Sequence, residues 1–307
     1  MNSQLNIYSA PLQGYTDHIW RNNHAKYFGG ITRYYTPFLR LEKGAIRNHD
    51  IKDINPDVNT TAAVPQIIAC KPQEAITLID TIKNLGYTSI DVNLGCPHPP
   101  VALKHKGAGM LKYPDEFKEF LLAIKQYKDI DFTVKMRLGW DDSKQWQEIM
   151  PLMDIIKPSH ITVHPRIGTQ KYKGELDIMQ FEALLASSKY PIIYNGNIDT
   201  LANAIAIKEK YPNLAGIMVG RGLISHPYLT STNASNQSVT DFHDSLMEAY
   251  TNSYTGGEGQ IVNKMKSLWE LFLPEADHKA RKAIKKSHTL QQYASAAHDA
   301  INSVTID

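Results

Sequence analysis

The sequence lacks the features that mark secreted and membrane-embedded proteins. Only two cysteines, Cys70 and Cys96, occur in the 307 residues, so a fold stapled by disulfides is not expected. No apolar stretch approaches the length of about 20 residues that a membrane-spanning helix needs. The first residues, Met1–Gln4, contain neither a basic leader nor an apolar core. We therefore expect a cytoplasmic protein that does not contact a membrane.

Several kinds of chemical site are also missing from the sequence. No His/Cys cluster has metal-ligand spacing, so no metal is predicted. There is no Walker loop, and the Gly-Ala-Gly segment at 107–109 lacks the flanking pattern of a dinucleotide fingerprint. The formal net charge is only +2, from 33 basic and 31 acidic residues. This overall balance neither favours nor excludes a nucleic-acid partner.

What the sequence does contain is a repeated alternation of strand and helix patterns. Stretches of helical period lie between most of the strand-like runs, at 73–85, 114–127, 146–156, 177–186 and 199–210. A strand–helix repeat of this kind is typical of a parallel α/β fold, and eight strands are the number that a TIM (β/α)8 barrel needs. The strand-like runs, rich in β-branched residues, are 8–11, 30–35, 65–69, 89–93, 132–137, 160–164, 191–195 and 216–220.

The end of the sequence has a different pattern. Residues 231–238 form a polar run without apolar periodicity, which is typical of a linker. Beyond it, 241–254, 260–272 and 278–300 have helical spacing and no strand pattern. We therefore predict a barrel domain over 1–235 and a small helical bundle domain over 236–307.

One helix of this tail is strongly basic. Arg281, Lys282, Lys285 and Lys286 fall largely on one face at helical spacing. A solvated helix face without a partner is one interpretation. Further cations in the predicted loops at the active end of the barrel favour a second interpretation, in which this face contacts a polyanionic substrate.

Cys96 stands at the end of the fourth predicted strand. Gly95 permits a sharp turn and Pro97 fixes the backbone after it, so the thiol is held in place at the rim where barrel enzymes keep their chemistry. A packing role in the core is the alternative. Lys135 raises a similar choice between a buried salt bridge, for example to Asp91, and a cation that faces an anionic cofactor ring.

Two glycine-containing turns follow the seventh and eighth predicted strands. These turns are Asn195-Gly196-Asn197 and Gly220-Arg221. TIM barrels commonly bind a phosphate at this position, because glycine lets the backbone N–H groups approach the ligand closely. The sequence therefore predicts a phosphate site here, with Arg221 adding a charge that can bind in a bidentate manner.

Eight short motifs occur in a fixed order along nearly the whole chain. The most specific reads Asp-Val-Asn-Leu-Gly-Cys-Pro, at 91–97. In sequence and order the motifs resemble those of the tRNA-dihydrouridine synthases, a family of FMN-dependent barrel reductases. Three departures stand out, with Leu12 in place of a usual Met, Pro165 in place of a common Gly, and His98-Pro99-Pro100 after the Cys-Pro pair. The motifs lie at 10–17, 91–97, 104–111, 134–139, 162–166, 172–174, 194–198 and 218–222.

The resemblance implies a tightly bound FMN, with NADPH as electron donor. It also implies a role for each matched residue at the cofactor. Pro11, Leu12 and Gln13 would line the flavin, and Gln66, Lys135 and His164 would contact its ring system. Asn195, Gly196, Asn197, Gly220 and Arg221 would hold its phosphate end.

The resemblance further implies that the enzyme reduces a uridine in the D-loop of tRNA to 5,6-dihydrouridine. Cys96 would donate a proton to C5 opposite the hydride, with Asn93, Arg166 and Tyr172 near the uracil. The stretch at 35–40 slightly favours position 16 of the D-loop over positions 17 and 20. We expect a monomer without a protein partner, in which the basic face of the tail binds tRNA.

Two other functions remain open at this point. One is a small-molecule FMN-dependent reductase of the dihydroorotate dehydrogenase type, which would share the barrel and the pyrimidine chemistry. The other is a non-catalytic RNA-binding protein built on a barrel. The basic tail argues against the first, and the set Gln66, Cys96, Lys135 and His164 argues against the second.

Overall fold

The protein is described here by a computed structural model that covers residues 5–306. The prediction about Met1–Gln4 therefore lies outside the described residues. Within them, eight parallel strands close into a barrel, which confirms the predicted TIM barrel. The barrel strands are β1 (Ile7–Ser9), β2 (Arg33–Leu39), β5 (Ala63–Ile67), β6 (Ser89–Leu94), β7 (Asp131–Gly139), β8 (Ile161–Ile167), β9 (Ile192–Asn195) and β10 (Gly216–Val219), and a two-stranded hairpin of β3 (Leu41–Glu42) and β4 (Ala45–Ile46) follows β2. Around the barrel the strands lie in the order β1-β10-β9-β8-β7-β6-β5-β2.

Helices connect the strands, and several begin where the sequence predicts. Pro72 and Pro114 occupy first-turn positions, while the Thr200 side chain caps its helix by accepting from the Asn203 amide. Pro151 lies where one α-helix gives way to a 3₁₀ turn, Met150–Ile155. The helices of this part are α1 (His18–Tyr27), α2 (Asn48–Lys52), α3 (Pro72–Asn84), α4 (Pro99–Ala102), α5 (Pro114–Ile124), α6 (Trp146–Ile149), α7 (Ile178–Ser187), α8 (Leu201–Lys210) and α9 (Arg221–Ser225).

The interior of the barrel is filled by side chains. Tyr8, Tyr35, Val64 and Ile193 are buried there with Met218, which also forms part of the floor of the pocket at the rim. A closed barrel of eight strands leaves room inside for little more than its own side chains. The usable cavity therefore lies at the carboxyl ends of the strands.

Four helices follow the barrel, and two sequence predictions about them need correction. They are α10 (Asn236–Ser253), α11 (Glu258–Leu268), α12 (His278–Lys286) and α13 (Leu290–Asn302). The predicted linker is too long, because Ser235 caps α10 and the helix begins inside that polar run. The stretch 278–300 is two helices, since the Thr289 side chain accepts from the Gln292 amide and starts a new one.

The helical tail packs directly on the barrel. The rings of Phe28 and Phe242 lie 5.2 Å apart between α1 and α10, and one continuous apolar core includes side chains of both parts. The chain passes from barrel to tail at the predicted boundary of 235/236, but separate domains over 1–235 and 236–307 stay a prediction. Among residues 5–306, no helix is long and apolar enough to cross a membrane.

Candidate active site

A pocket of about 900 Å³, counting its open mouth, lies at the carboxyl ends of the barrel strands. It brings together residues from β1, β6, β7, β8, β9 and β10 and the loops that follow them. Fourteen of the residues singled out from the sequence line it. They are Pro11, Leu12, Gln13, Asn93, Cys96, Lys135, His164, Arg166, Tyr172, Asn195, Gly196, Asn197, Gly220 and Arg221.

The loop that carries Cys96 is held by hydrogen bonds at both ends. The Asn93 side-chain oxygen accepts from the backbone N–H groups of Gly95, at 3.0 Å, and Cys96, at 2.9 Å. The Cys96 carbonyl accepts from the Ala108 amide at 3.0 Å. Burial raises the pKa of the Cys96 thiol above its usual range. The thiol is therefore protonated at neutral pH and suited to donate a proton.

The loop is also packed against a glycine that no larger residue could replace without strain. Gly107 has φ +59°, and a Cβ there would come 2.8 Å from the Cys96 carbonyl oxygen. The Gly-Ala-Gly segment that lacks the pattern of a dinucleotide fingerprint thus supports the Cys96 loop. The packing of Gly107 on Cys96 explains why glycine is needed in the segment that follows the Cys-Pro pair.

Gln66 lies behind the pocket wall in this structure. The residue has no exposed surface, and its side-chain NH₂ donates to Asp91 at 2.6 Å while its oxygen accepts from Asn93 at 2.7 Å. These bonds use one of the two N–H groups of the amide. The predicted contact of Gln66 with the flavin ring stays a prediction.

Lys135 lines the pocket and does not form the buried salt bridge to Asp91 that was the alternative interpretation. The Asp91 oxygens are hydrogen-bonded to Gln66 and Thr133, and in the described part of the chain no ion pair joins Asp91 to Lys135. Burial, reinforced by the nearby Arg137 cation, lowers the pKa of Lys135 to about 8. Burial also raises the pKa of Asp91 to about 6.

The hydrogen bonds of Arg166 assign the tautomer of His164. The guanidinium Nη1 lies 3.1 Å from His164 Nε2, and a guanidinium only donates. The ring nitrogen Nε2 must therefore accept, and the proton sits on Nδ1. Burial lowers the pKa of His164 well below its usual range, so the ring is neutral.

The two glycine turns after β9 and β10 lie against each other at the predicted phosphate site. A Cβ at Gly222 would overlap the backbone of Ile198, so the turns can approach only without a side chain there. The Asn195 side chain donates to the Met218 carbonyl at 2.8 Å and ties β9 to β10. The Asn197 side-chain oxygen accepts from Arg166 at 3.2 Å.

Arg137 is a pocket residue to which the sequence interpretation gave no role. Its guanidinium donates to the carbonyls of Gly95 and Ile167, each at 2.9 Å. The centre of the Tyr172 ring lies near two guanidinium groups, 5.5 Å from that of Arg137 and 4.8 Å from that of Arg221. The two-residue period of a strand places Arg137 on the same face of β7 as Lys135 and so predicts its position at the rim, but not its hydrogen bonds.

The basic face of the tail consists of three exposed lysines and a partly buried arginine. Lys282, Lys285 and Lys286 are exposed on α12, whereas the Arg281 guanidinium donates to the carbonyls of Trp269, Phe272 and Leu273 at 2.6 to 2.9 Å. These bonds fasten α12 to the segment after α11, and the predicted role of Arg281 in tRNA binding stays a prediction.

One cluster of possible metal ligands lies in the tail, where sequence spacing gave no sign of it. The side-chain atoms of His243, Asp244 and His298 lie within 4.8 Å of one another. A chain of hydrogen bonds already occupies them, because His243 lies 3.0 Å from Asp244 and 2.7 Å from the Tyr293 hydroxyl. These contacts account for the cluster as packing between α10 and α13.

Comparison with known proteins identifies the family of this pocket. The family model described as dihydrouridine synthase (Dus) matches residues 8–302. The chain belongs to the dihydrouridine synthase family. It is accordingly a flavin-dependent oxidoreductase.

Curated relatives agree with this assignment. The chain is 29% identical over 233 residues to tRNA-dihydrouridine synthase B of Pasteurella multocida, covering 73% of this chain and 67% of the relative. It is 32% identical to a probable tRNA-dihydrouridine synthase of Rickettsia bellii, covering 74% of this chain and 69% of the relative. Both alignments span about three quarters of the present chain.

Solved structures support the fold at much lower identity. A morphinone reductase variant in complex with tetrahydroNAD matches with a TM-score of 0.52 at 10% identity, covering 73% of this chain and 85% of that chain. The old yellow enzyme from Trypanosoma cruzi matches with a TM-score of 0.51 at 9% identity, covering 77% and 88%. At this identity the likeness concerns the barrel alone.

The pocket fits the FMN on which the family depends. Its lining includes four cations, Lys135, Arg137, Arg166 and Arg221, and one carboxylate, Asp199. At the predicted phosphate site the backbone of Gly196 is closely packed, since a Cβ there would come 3.2 to 3.3 Å from Leu176 and His164, and the Arg221 side chain adds a cation. An anionic group with a phosphate end suits this donor set.

Proposed function

We propose that this protein reduces a uridine in the D-loop of tRNA to 5,6-dihydrouridine, with FMN in the rim pocket and NADPH as electron donor. The observation that carries the proposal is a protonated thiol, Cys96, held at the wall of a cation-lined pocket. Membership of the dihydrouridine synthase family and relatives named tRNA-dihydrouridine synthase support it.

Each residue of the pocket has a distinct task in this proposal. Bound FMN, once reduced by NADPH, would supply the hydride for C6 of the uracil. Cys96 donates a proton to C5 from the opposite face, for which its raised pKa keeps the thiol protonated. Lys135 stabilises negative charge on the flavin ring, and His164 offers its Nδ1–H as a neutral donor.

The remaining residues orient the two ligands. Pro11, Leu12 and Gln13 would line one side of the flavin, while Asn195 to Asn197 with Gly220 and Arg221 would hold its phosphate, and all of these residues line the pocket. Tyr172 is half-exposed at the mouth and offers a ring on which a base can stack. A uridine in folded tRNA is stacked or paired, so it must swing out to reach this pocket.

We further propose that the lysines of α12 hold the tRNA. Lys282, Lys285 and Lys286 form an exposed group of cations. The segment that Arg281 fastens to α12 includes Leu271, which lines a second cavity that shares Cys96 and Tyr172 with the rim pocket. Phosphate contacts by these lysines would place the tRNA without reading its sequence. No protein partner is needed in this arrangement, and a monomer suffices.

The direct test is Cys96→Ala, with Cys70→Ala as the matched control at the other cysteine. We expect Cys96→Ala to keep bound FMN and its reduction by NADPH, and to lower dihydrouridine formation at least 100-fold, in the range of lost acid catalysis. Cys70→Ala should keep full activity. Flavin absorbance and mass spectrometry of digested tRNA measure the two steps, and an active Cys96→Ala enzyme would remove the thiol from the mechanism.

A second measurement separates tRNA from a small pyrimidine as substrate. The rate of NADPH oxidation is compared with unmodified tRNA and with free uridine or orotate as acceptor. We expect faster oxidation with tRNA, whereas a preference for the free pyrimidine would favour the small-molecule reductase. Mapping dihydrouridine in tRNA from a strain that lacks the protein then identifies the position, for which the sequence slightly favours 16.

A further inference from the structure

A buried carboxylate lies beneath the Cys96 loop and has no role in the chemistry proposed above. Asp91 is 1% exposed and accepts two short hydrogen bonds, from the Thr133 hydroxyl at 2.5 Å and from the Gln66 side-chain amide at 2.6 Å. It lies on β6, two residues before Asn93. In the described part of the chain it forms no salt bridge, so its direct partners are the two hydrogen-bond donors, and the Lys135 cation acts on it from beyond ion-pair distance.

A line of hydrogen bonds runs from this carboxylate to the backbone of Cys96. The Gln66 side-chain oxygen accepts from the Asn93 side-chain amide at 2.7 Å. The Asn93 oxygen in turn accepts from the N–H groups of Gly95 and Cys96, at 3.0 and 2.9 Å. Two side-chain amides thus join Asp91 to the loop that carries the thiol.

The two ends of this line fix the orientation of both amides. An ionised carboxylate only accepts, so the NH₂ group of Gln66 must face Asp91 and its oxygen must face Asn93. The backbone N–H groups of Gly95 and Cys96 only donate, so the Asn93 oxygen must face the loop. Without the acceptor at Asp91, the NH₂ group of Gln66 loses its partner and this side chain can rotate. Its oxygen then no longer anchors the Asn93 NH₂, and Asn93 is held by the loop alone.

We propose that Asp91 is a positioning residue, whose carboxylate orients Gln66 and Asn93 so that the Cys96 loop is held for proton donation. This inference rests on the proposed function of Cys96. An apolar residue at position 91 would cost less to bury than a carboxylate. The carboxylate therefore orients the side-chain amides of Gln66 and Asn93 that hold the loop, and an apolar residue cannot do this.

The test uses Asp91→Leu, which removes the acceptor, and Asp91→Asn as the conservative rescue. Asparagine can present its oxygen to Gln66 and its NH₂ to the Thr133 hydroxyl, so it can keep the direction of the line. We expect Asp91→Leu to lower kcat for dihydrouridine formation at least tenfold, with KM for tRNA and FMN content unchanged. Asp91→Asn should restore most of that loss. Thr133→Val is the matched control, because it removes a hydrogen bond to Asp91 outside the line.

Alkylation of the two cysteines gives a readout that does not depend on the reaction. Iodoacetamide is applied to the flavin-loaded enzyme, and the modification of Cys96 and Cys70 is followed by mass spectrometry in the same sample. We expect Cys96 to react at least threefold faster in Asp91→Leu and at the wild-type rate in Thr133→Val, with Cys70 unchanged throughout. An unchanged Cys96 rate in Asp91→Leu overturns the positioning role, even if Cys96 proves essential to the reaction.

Gln66→Leu keeps the inference testable if Asp91→Leu does not fold. It breaks the line at its next member, so it should raise the Cys96 alkylation rate by the same factor. If both variants fold, the double variant should be no worse than either single one, because members of one line are not additive. Additive effects, or an unchanged Cys96 rate in Gln66→Leu, would contradict the proposal.

Discussion

Burial of the Lys135 cation destabilises the fold. In the proposed function the same cation binds the anionic FMN. The nearest buried carboxylate, Asp91, is hydrogen-bonded to Gln66 and Thr133, and burial lowers the pKa of Lys135 to about 8. A lysine whose pKa is lower in the folded than in the unfolded chain destabilises the fold below pH 8. That cost disappears as the pH rises toward the unfolded value of about 10.4.

Lys135→Met should therefore have opposite effects on stability and on FMN binding. At pH 7 we expect the free energy of unfolding of the FMN-free protein to rise by on the order of 2 kcal/mol, because the buried charge is gone. The affinity for FMN should fall, since an interaction with an anionic ligand is lost. Wild-type affinity should weaken as the pH rises through about 8, and this step should be absent from the variant.

Urea unfolding and quenching of flavin fluorescence measure the two effects. Lys144→Met, at an exposed position away from the pocket, is the control and should change neither quantity. Tighter FMN binding by Lys135→Met, or a pH step retained in it, would show that Lys135 does not face the ligand.

At the same scale, the sequence predicts some site residues better than others. Cys96 and Lys135 follow from their place at the end or on the inner face of a strand, which local pattern reveals. The hydrogen-bond partners of Gln66 and Arg281 do not follow from local pattern, because only the folded chain brings these partners near. Residue type and spacing are the same for a polar group that faces a cavity and for one that supports its wall.

Among the elements, the loop after β6 depends on a second segment farther along the chain. Gly107 begins the 3₁₀ turn Gly107–Lys112 and packs on Cys96 in a left-handed conformation. The amide of Ala108 completes the contact with a hydrogen bond to the Cys96 carbonyl. A side chain at position 107 would therefore displace the thiol as well as strain the backbone.

Gly107→Ala should separate these two effects when compared with Gly86→Ala. Both glycines have positive φ, +59° and +88°, but a Cβ at Gly86 meets no atom within 4 Å. We expect each variant to lose about 1 to 2 kcal/mol of stability from the left-handed backbone. Only Gly107→Ala should also lose dihydrouridine formation, by about tenfold or more at unchanged FMN content.

Thermal unfolding and dihydrouridine assays measure the two quantities. Equal activity in Gly107→Ala and Gly86→Ala would mean that the loop accommodates the extra methyl group, and that Gly107 is needed for its backbone conformation alone.

Element boundaries show where local patterns are sufficient. Helices that start at Pro72 and Pro114 and most of the strands were predicted closely, but β2 runs from Arg33 to Leu39 and not over 30–35. The start of α10 was not predicted, because Ser235 and Ser238 form a polar capping box that resembles a linker. The break between α12 and α13 was missed for the same reason, since the cap at Thr289 interrupts an otherwise continuous helical period.

At the scale of the whole molecule, hydrogen bonds and an ion pair join the helical tail to the segment after β1, which also lines the rim pocket. Lys264 of α11 lies 2.8 Å from Asp17 and donates to the Gly14 carbonyl at 2.9 Å. Tyr15 donates to Glu270 at 3.0 Å. These contacts join positions about 250 residues apart, so no local pattern could reveal them. They place the tail beside the loop that begins with Pro11, Leu12 and Gln13.

This arrangement predicts that tRNA held by the tail is presented to the pocket. Lys282→Glu combined with Lys285→Glu should weaken tRNA binding at least tenfold and leave FMN content unchanged, because no residue of α12 lines the rim pocket. The matched control is Lys125→Glu with Lys128→Glu, which makes the same charge change at exposed positions before β7, at the opposite end of the barrel.

Salt dependence distinguishes direct phosphate contacts from a general change in charge. If both lysines bind phosphates, the slope of log affinity against log salt concentration should fall by about 2 in the tail variant. The control should keep the wild-type slope, since long-range attraction is screened beyond about 10 Å at 0.1 M salt. Filter binding from 50 to 300 mM KCl measures both slopes. Equal slopes in the two variants would mean that α12 attracts tRNA only through net charge and that the docking surface lies elsewhere.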